Sequence, residues 1–134
     1  MTKEGYTSNE RIKEESDFLR GNISDLLHDG SITHFPSEEE FLLKFHGITQ
    51  QDNRDERLIR KKNGQERNWL FMLRLRLPGG RMTPSQWLAA ETLSDQFGNG
   101  TLKLTTRQAI QIHGVVKQDL KQTMKIGRAS CRER

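Results

Sequence analysis

Thr101 to Gly114, TLKLTTRQAIQIHG, holds two short runs that alternate apolar and polar residues on either side of Arg107-Gln108. Successive side chains on a strand point to opposite faces, so a period of two fixes which residues share a surface. In the first run Leu102 and Leu104 share one face, and Thr101, Lys103 and Thr105 share the other. In the second, Ile110 and Ile112 lie opposite Gln111 and His113. A hairpin-like pair therefore gathers Lys103, Thr105, Gln111 and His113 on one polar face, with Arg107 at the junction. The plain alternative is a half-buried sheet whose polar face is simply solvated.

A second stretch adds cations to that picture. Asn68 to Gly80, NWLFMLRLRLPGG, places Trp69, Phe71, Leu73, Leu75 and Leu77 on one strand face and Leu70, Met72, Arg74 and Arg76 on the other. Guanidinium is permanently charged and offers a planar fork of donors suited to carboxylates and oxyanions. The alternative is a pair of solvated edge arginines.

Elsewhere the local signals are capping and breaking residues. Thr7-x-x-Glu10 has the form of a capping box and predicts a helix from about Asn9 to Leu19, closed by Arg20-Gly21. Asn22 to Pro36 reads as a short helical turn and loop, and Phe41 to Ile48 as a strand. Gln50 to Arg67 mixes both signs of charge and reads as a solvated helix or loop. Thr83-Pro84-Ser85-Gln86 combines an N-cap, a first-turn proline and a capping-box glutamine. It opens a predicted helix from Pro84 to Phe97 that should bury Trp87, Ala90, Leu93 and Phe97 and end at Gly98 or Gly100. Lys117 to Met124 reads as the start of a further helix. Strand, helix, strand, strand and helix start make an α+β arrangement, most of a ferredoxin-like half-domain.

Composition limits the function classes. The chain has 134 residues, 32% hydrophobic and 30% charged, which is thin for an autonomous globule. No run approaches the ~20 apolar residues of a membrane span, and the N-terminus lacks a signal-peptide core, so a cytoplasmic protein without membrane partners is expected. Cys131 is the single cysteine, which excludes a disulfide or a four-cysteine metal site within one chain. It lies in Ile126 to Arg134, IGRASCRER, which reproduces the translation of one frame of a common sequencing adapter and is expected to be non-native. Three arginines and one glutamate sit there, so half of the formal +4 charge resides in that tail. The nearly balanced remainder argues against a nucleic-acid partner.

Four blocks carry a family resemblance: ERIKEESDFLRGNI at Glu10 to Ile23, KFHGITQQDNRDER at Lys44 to Arg57, MLRLRLPGGRMTPSQW at Met72 to Trp87, and LTTRQAIQIHG at Leu104 to Gly114. In this order the chain resembles the N-terminal part of the nitrite/sulfite reductase siroheme family, in particular its sulfite reductase hemoproteins. The resemblance implies an incomplete ferredoxin-like half-domain of that type over residues 37–125, preceded by an N-terminal helical and loop segment over residues 1–36. It implies six-electron reduction of sulfite to sulfide at a siroheme coupled to a 4Fe-4S cluster, with a flavoprotein reductase subunit or ferredoxin as electron donor.

Carried over by position, Arg74 resembles the family's anion-binding arginine, and Lys103, Thr105, Arg107, Gln111 and His113 its siroheme-contacting set. Arg76 and His46 are assigned structural roles, and His28 and His34 belong to no motif. The cluster's four cysteines would lie downstream, so this chain alone is expected to be inactive. Thr106 departs from the asparagine common in the sulfite enzymes and matches related nitrite reductases, so a ferredoxin-dependent nitrite reductase is the near alternative. A stand-alone anion or nucleic-acid binding module is the remote one.

Overall fold

The computed structural model describes residues 5–132, with side chains through Arg128. Its elements in chain order are α1 (Ser8–Glu15), α2 (Ile23–His28), α3 (Ser37–Leu43), a 3-10 turn (Lys44–His46), β1 (Ile48–Asp52), α4 (Arg54–Lys62), β2 (Trp69–Leu75), a second 3-10 turn (Pro78–Gly80), α5 (Pro84–Phe97), β3 (Leu102–Leu104), β4 (Ile110–Val115) and α6 (Lys117–Arg132). The four strands form one antiparallel sheet in the order β1-β2-β4-β3. This is the α+β architecture expected from the sequence.

One face of the sheet carries the core. Ile48, Phe71, Leu73, Ile112 and Val115 project from the strands and meet Phe35, Leu43, Leu93 of α5 and Leu120 of α6, all buried. Ile23, Leu26 and Leu27 of the N-terminal segment pack on the same cluster. Gln50 of β1 is buried as well and closes the sheet edge: its side-chain carbonyl accepts from Phe35 N–H at 2.7 Å and its amide donates to Phe35 O at 3.2 Å.

Several boundaries differ from the sequence reading. Phe41 to Ile48 is not a strand: Leu42 and Leu43 end α3, the 3-10 turn follows, and the strand starts at Ile48. Pro36 and the acidic first turn Glu38, Glu39 and Glu40 start α3, because carboxylates favour the positive end of a helix dipole. The charged stretch from Gln50 accordingly divides, its first residues pairing in β1 and Arg54–Lys62 forming the exposed helix α4.

The first helix stops at Glu15 rather than Leu19, because Asp17, Phe18 and Leu19 adopt left-handed φ of 48°, 58° and 65°. Buried Ser16 organises this turn, its hydroxyl donating to Lys13 O at 2.6 Å and accepting from Leu19 N–H at 3.1 Å. In α5 Ala90 and Leu93 are buried as expected, Phe97 is half-buried, and Trp87 is 42% exposed. The helix turns its Ala90–Leu93–Ser94 side to the sheet, which leaves Trp87 on the rim. On β3, Leu104 is 73% exposed, as a three-residue edge strand lacks a second layer there. Helix α6 continues through Lys125 to Arg132.

Both predicted capping boxes form, at Thr7/Glu10 and Thr83/Gln86. They should differ in consequence. Thr83→Ala is expected to lower unfolding stability by about 1 kcal/mol, because α5 carries Leu93 into the core. Thr7→Ala should leave the global urea midpoint unchanged, since α1 buries no residue and frays locally. Equal midpoint shifts in the two variants would contradict this.

Candidate functional site

The sheet face opposite the core displays the polar residues. Arg74 of β2 pairs with Gln111 of β4, and Gln111 pairs with Lys103 of β3. Residues paired directly across antiparallel strands point to the same side, so the three form one transverse row. His113 lies two residues along β4 from Gln111 and shares its face. Its Nε2 is 3.1 Å from Gln111 Oε1. A carboxamide oxygen only accepts, so this bond assigns the proton to Nε2 and leaves Nδ1 as the acceptor.

Thr105, Thr106, Arg107 and Gln108 form the turn between β3 and β4, beyond the row. Thr105 N–H donates to Ala109 O at 2.9 Å and Gln108 N–H to Thr105 O at 3.1 Å. The Thr105 hydroxyl accepts from Ala109 N–H at 3.2 Å. Arg107 is exposed at the tip of this closed turn. Arg76 lies just past the end of β2, outside the paired row.

The resemblance blocks meet here in space. The His46 ring donates from Nε2 to Leu19 O at 2.8 Å, which ties KFHG to the left-handed turn of the first block. Gly47 then accepts Arg74 N–H at 2.8 Å. Gly47 has φ of +77°, and a Cβ there would stand 3.2 Å from Arg74 O, so a bare backbone lets the chain approach Arg74 this closely.

Electrostatically the face is unsatisfied. Among the described residues none of Arg74, Arg76, Lys103 and Arg107 has a carboxylate at ion-pair distance, whereas Arg57 pairs with Asp52 and Arg60 with Glu56. Beside Arg74, round the end of β2, runs a groove of about 1530 Å³ floored by apolar residues such as Leu43, Leu73 and Leu75. Its cations include Arg20, Arg76, Arg81, Lys121 and Lys125, and among the described residues no carboxylate lines it. In a chain with 18 acidic residues, such segregation marks surface that meets anions or further protein. Cations without carboxylate partners are donors of the kind a polycarboxylate macrocycle requires. No group of three or more His, Cys, Asp or Glu able to hold a metal ion occurs among the described residues, and a single cysteine cannot supply four thiolates.

Comparison with known proteins identifies the family. The profile of the nitrite/sulfite reductase ferredoxin-like half domain matches residues 63–129. The chain belongs to this family. It is 58% identical over 121 residues to the Saccharomyces cerevisiae sulfite reductase [NADPH] subunit beta, covering 88% of this chain and 8% of that protein. It is 48% identical over 115 residues to the Bacillus subtilis sulfite reductase [NADPH] hemoprotein beta-component, covering 86% of this chain and 20% of that protein. The Staphylococcus epidermidis hemoprotein beta-component is 50% identical over 119 residues, with 87% and 20% covered. The chain thus spans a fifth or less of the length of these relatives.

The half-domain brings Arg74, Lys103, Gln111 and His113 onto one face and sets Thr105 and Arg107 at its end. Two positions escaped the sequence reading. Gly47 carries a signal, a glycine directly before a strand. Gln108 carries none, because a left-handed glutamine is not legible in composition or period.

Burial, reinforced by the nearby Lys103 ammonium, holds the His113 pKa below its ordinary 6.5. The imidazole is therefore neutral at pH 7. Because folding lowers this pKa, the unfolded chain takes the proton more readily, and His113 subtracts stability as pH falls below 6.5 toward its folded value. An NMR titration of the His113 ring should give a midpoint below 6.5, and Lys103→Gln should raise it only part of the way back, since burial is the larger cause. A wild-type midpoint at or above 6.5 would refute this environment.

Proposed function

We propose that the chain is the N-terminal part of a sulfite reductase hemoprotein and supplies one cationic wall of its active site. The observation that carries this reading is the row Arg74–Gln111–Lys103 with Arg107 at its end, cations without carboxylate partners. The names of the relatives support it.

A bound siroheme, fed by a 4Fe-4S cluster, would supply the electrons for six-electron reduction of sulfite to sulfide, chemistry beyond amino-acid side chains. The residues here bind and orient. Lys103 and Arg107 would hold the macrocycle's carboxylates by charge-assisted hydrogen bonds. Gln111 would fix the His113 ring through the Nε2 bond while its amide remains available as a donor. The Thr105 hydroxyl accepts from Ala109 N–H and keeps its own proton to donate outward. Neutral His113 would serve as a hydrogen-bond partner rather than as a further cation. Arg74 would face the sulfite oxygens and stabilise the anion as its charge shifts.

The cluster's thiolates would come from further along the full polypeptide, and the chain alone would be inactive. The electron donor would be a flavoprotein reductase subunit or ferredoxin; the NADPH in the relatives' names favours a reductase subunit. Thr106, exposed in the turn, favours a nitrite reductase as second reading, and the relatives' names favour sulfite. We also propose that the native reading frame departs from this sequence after Lys125. Sequencing the locus tests that directly, and genomic codons for IGRASCRER would refute it.

In the full-length enzyme Arg74→Ala should lower sulfite kcat/KM by about tenfold or more with siroheme content retained, because it removes an anion contact. Arg107→Ala should lower siroheme per polypeptide, read from the Soret band. Equal siroheme loss in both would defeat this division of roles, and faster turnover of nitrite than of sulfite by the wild type would favour the second reading.

A further inference from the structure

Gln108 has φ of +56°, and Asp17, Phe18 and Leu19 are the other non-glycine residues with positive φ among those described. From Gly47 onward every other left-handed position is glycine: Gly47, Gly64, Gly79, Gly80, Gly100 and Gly114. The turn it closes has three loop residues, Thr106 to Gln108, between Thr105 and Ala109, whose N–H and O are bonded. In such a loop the third residue is left-handed and normally glycine, because a Cβ there crowds the backbone. A glutamine in that place is a strained choice, and strain persists where something else over-determines it.

The side chain has a definite neighbour. Gly80, at the end of the Pro78–Gly80 turn that follows the Arg74 strand, has φ of +69°. A Cβ built on it would stand 3.2 Å from Gln108 Cβ, 3.3 Å from Oε1 and 3.4 Å from Cδ. The glutamine thus lies along bare glycine backbone, and the two loops meet there around a small cavity of about 290 Å³ shared with Leu77, Leu104, Thr105 and Ala109.

We infer that Gln108 and Gly80 form a positioning contact that locks the turn carrying Arg107 to the loop following Arg74, and so sets the spacing of the two arginines. The contact replaces a flexible hairpin tip by one braced from the neighbouring loop, which preorganises Arg107. Its consequence for cofactor retention rests on the siroheme reading above; the bracing itself does not.

The decisive variant is Gln108→Gly in the full-length chain. If Gln108 were only a turn residue, glycine would relieve the left-handed strain and leave every property equal or improved. A positioning contact makes the opposite prediction for the order of the turn and for what depends on it. Thermal stability should be unchanged or higher, while hydrogen exchange of the backbone amide at position 108 in the cofactor-free chain rises roughly tenfold. Siroheme per polypeptide should fall with it. Gln108→Met, which keeps a chain long enough to cover Gly80, should restore both. Unchanged exchange at the turn in Gln108→Gly, or a Met variant as loose as the Gly variant, would overturn the contact. The exchange measurement stands whatever the protein binds, so a wild type that purifies without siroheme refutes the functional reading and not the bracing.

Discussion

Everything in this fold hangs on the pairing of β2 with β4. β2 runs through the middle of the sheet with β1 on one side and β4 on the other, and contributes Phe71 and Leu73 to the core. The register steps from Leu73–Ile112 to Phe71–Val115, three residues of β4 against two of β2. Such a bulge changes the phase of the strand, so that Val115 returns to the buried side with Ile110 and Ile112 instead of pointing away. Gly114 makes it possible. Its φ is +80°, and a Cβ would stand 2.9 Å from Asn99 Cβ. Without this correction either Val115 would leave the core or Gln111 and His113 would leave the polar face.

The same pairing places the charges. Arg74 sits across from Gln111 because Leu73 sits across from Ile112, so burial of one face fixes the alignment of the other. The sheet thereby holds cations at spacings that mobile surface side chains would not keep. The charged helix α4 is different in kind. There Glu56 and Arg60 neutralise each other at i,i+4, and Arg57 closes back on Asp52, the carboxyl of which it holds below the usual range by hydrogen bonding. Among the described residues Arg57 and Arg60 have carboxylate partners, whereas Arg74, Lys103 and Arg107 have none at ion-pair distance.

The legible parts of the fold were those with local physical causes. Helix α5 was readable from Thr83-Pro84 and Gln86 because capping is a contact within four residues. The strand faces of 69–75 and 110–113 were readable because alternation follows from backbone geometry. Phe41 to Ile48 misled because a short apolar run carries no period of its own, and the acidic turn before it decides for helix. The early end of α1 was hidden, since it depends on buried Ser16 and on His46, 27 positions beyond Leu19.

For the candidate site the division is similar. The residue types were set by the sequence alone: permanent cations at 74, 103 and 107, a carboxamide at 111 and an imidazole at 113, each on the polar phase of an alternating run or at its turn. The four ordered blocks carried the family resemblance, and the family profile over residues 63–129 bears it out. Only the tertiary structure decided which cations stand in one row, that burial lowers the His113 pKa, that Gly47 abuts Arg74 and that Gln108 leans on Gly80. Strand order, burial and left-handed backbone arise from contacts between segments far apart in the chain, and no local pattern of residues records them.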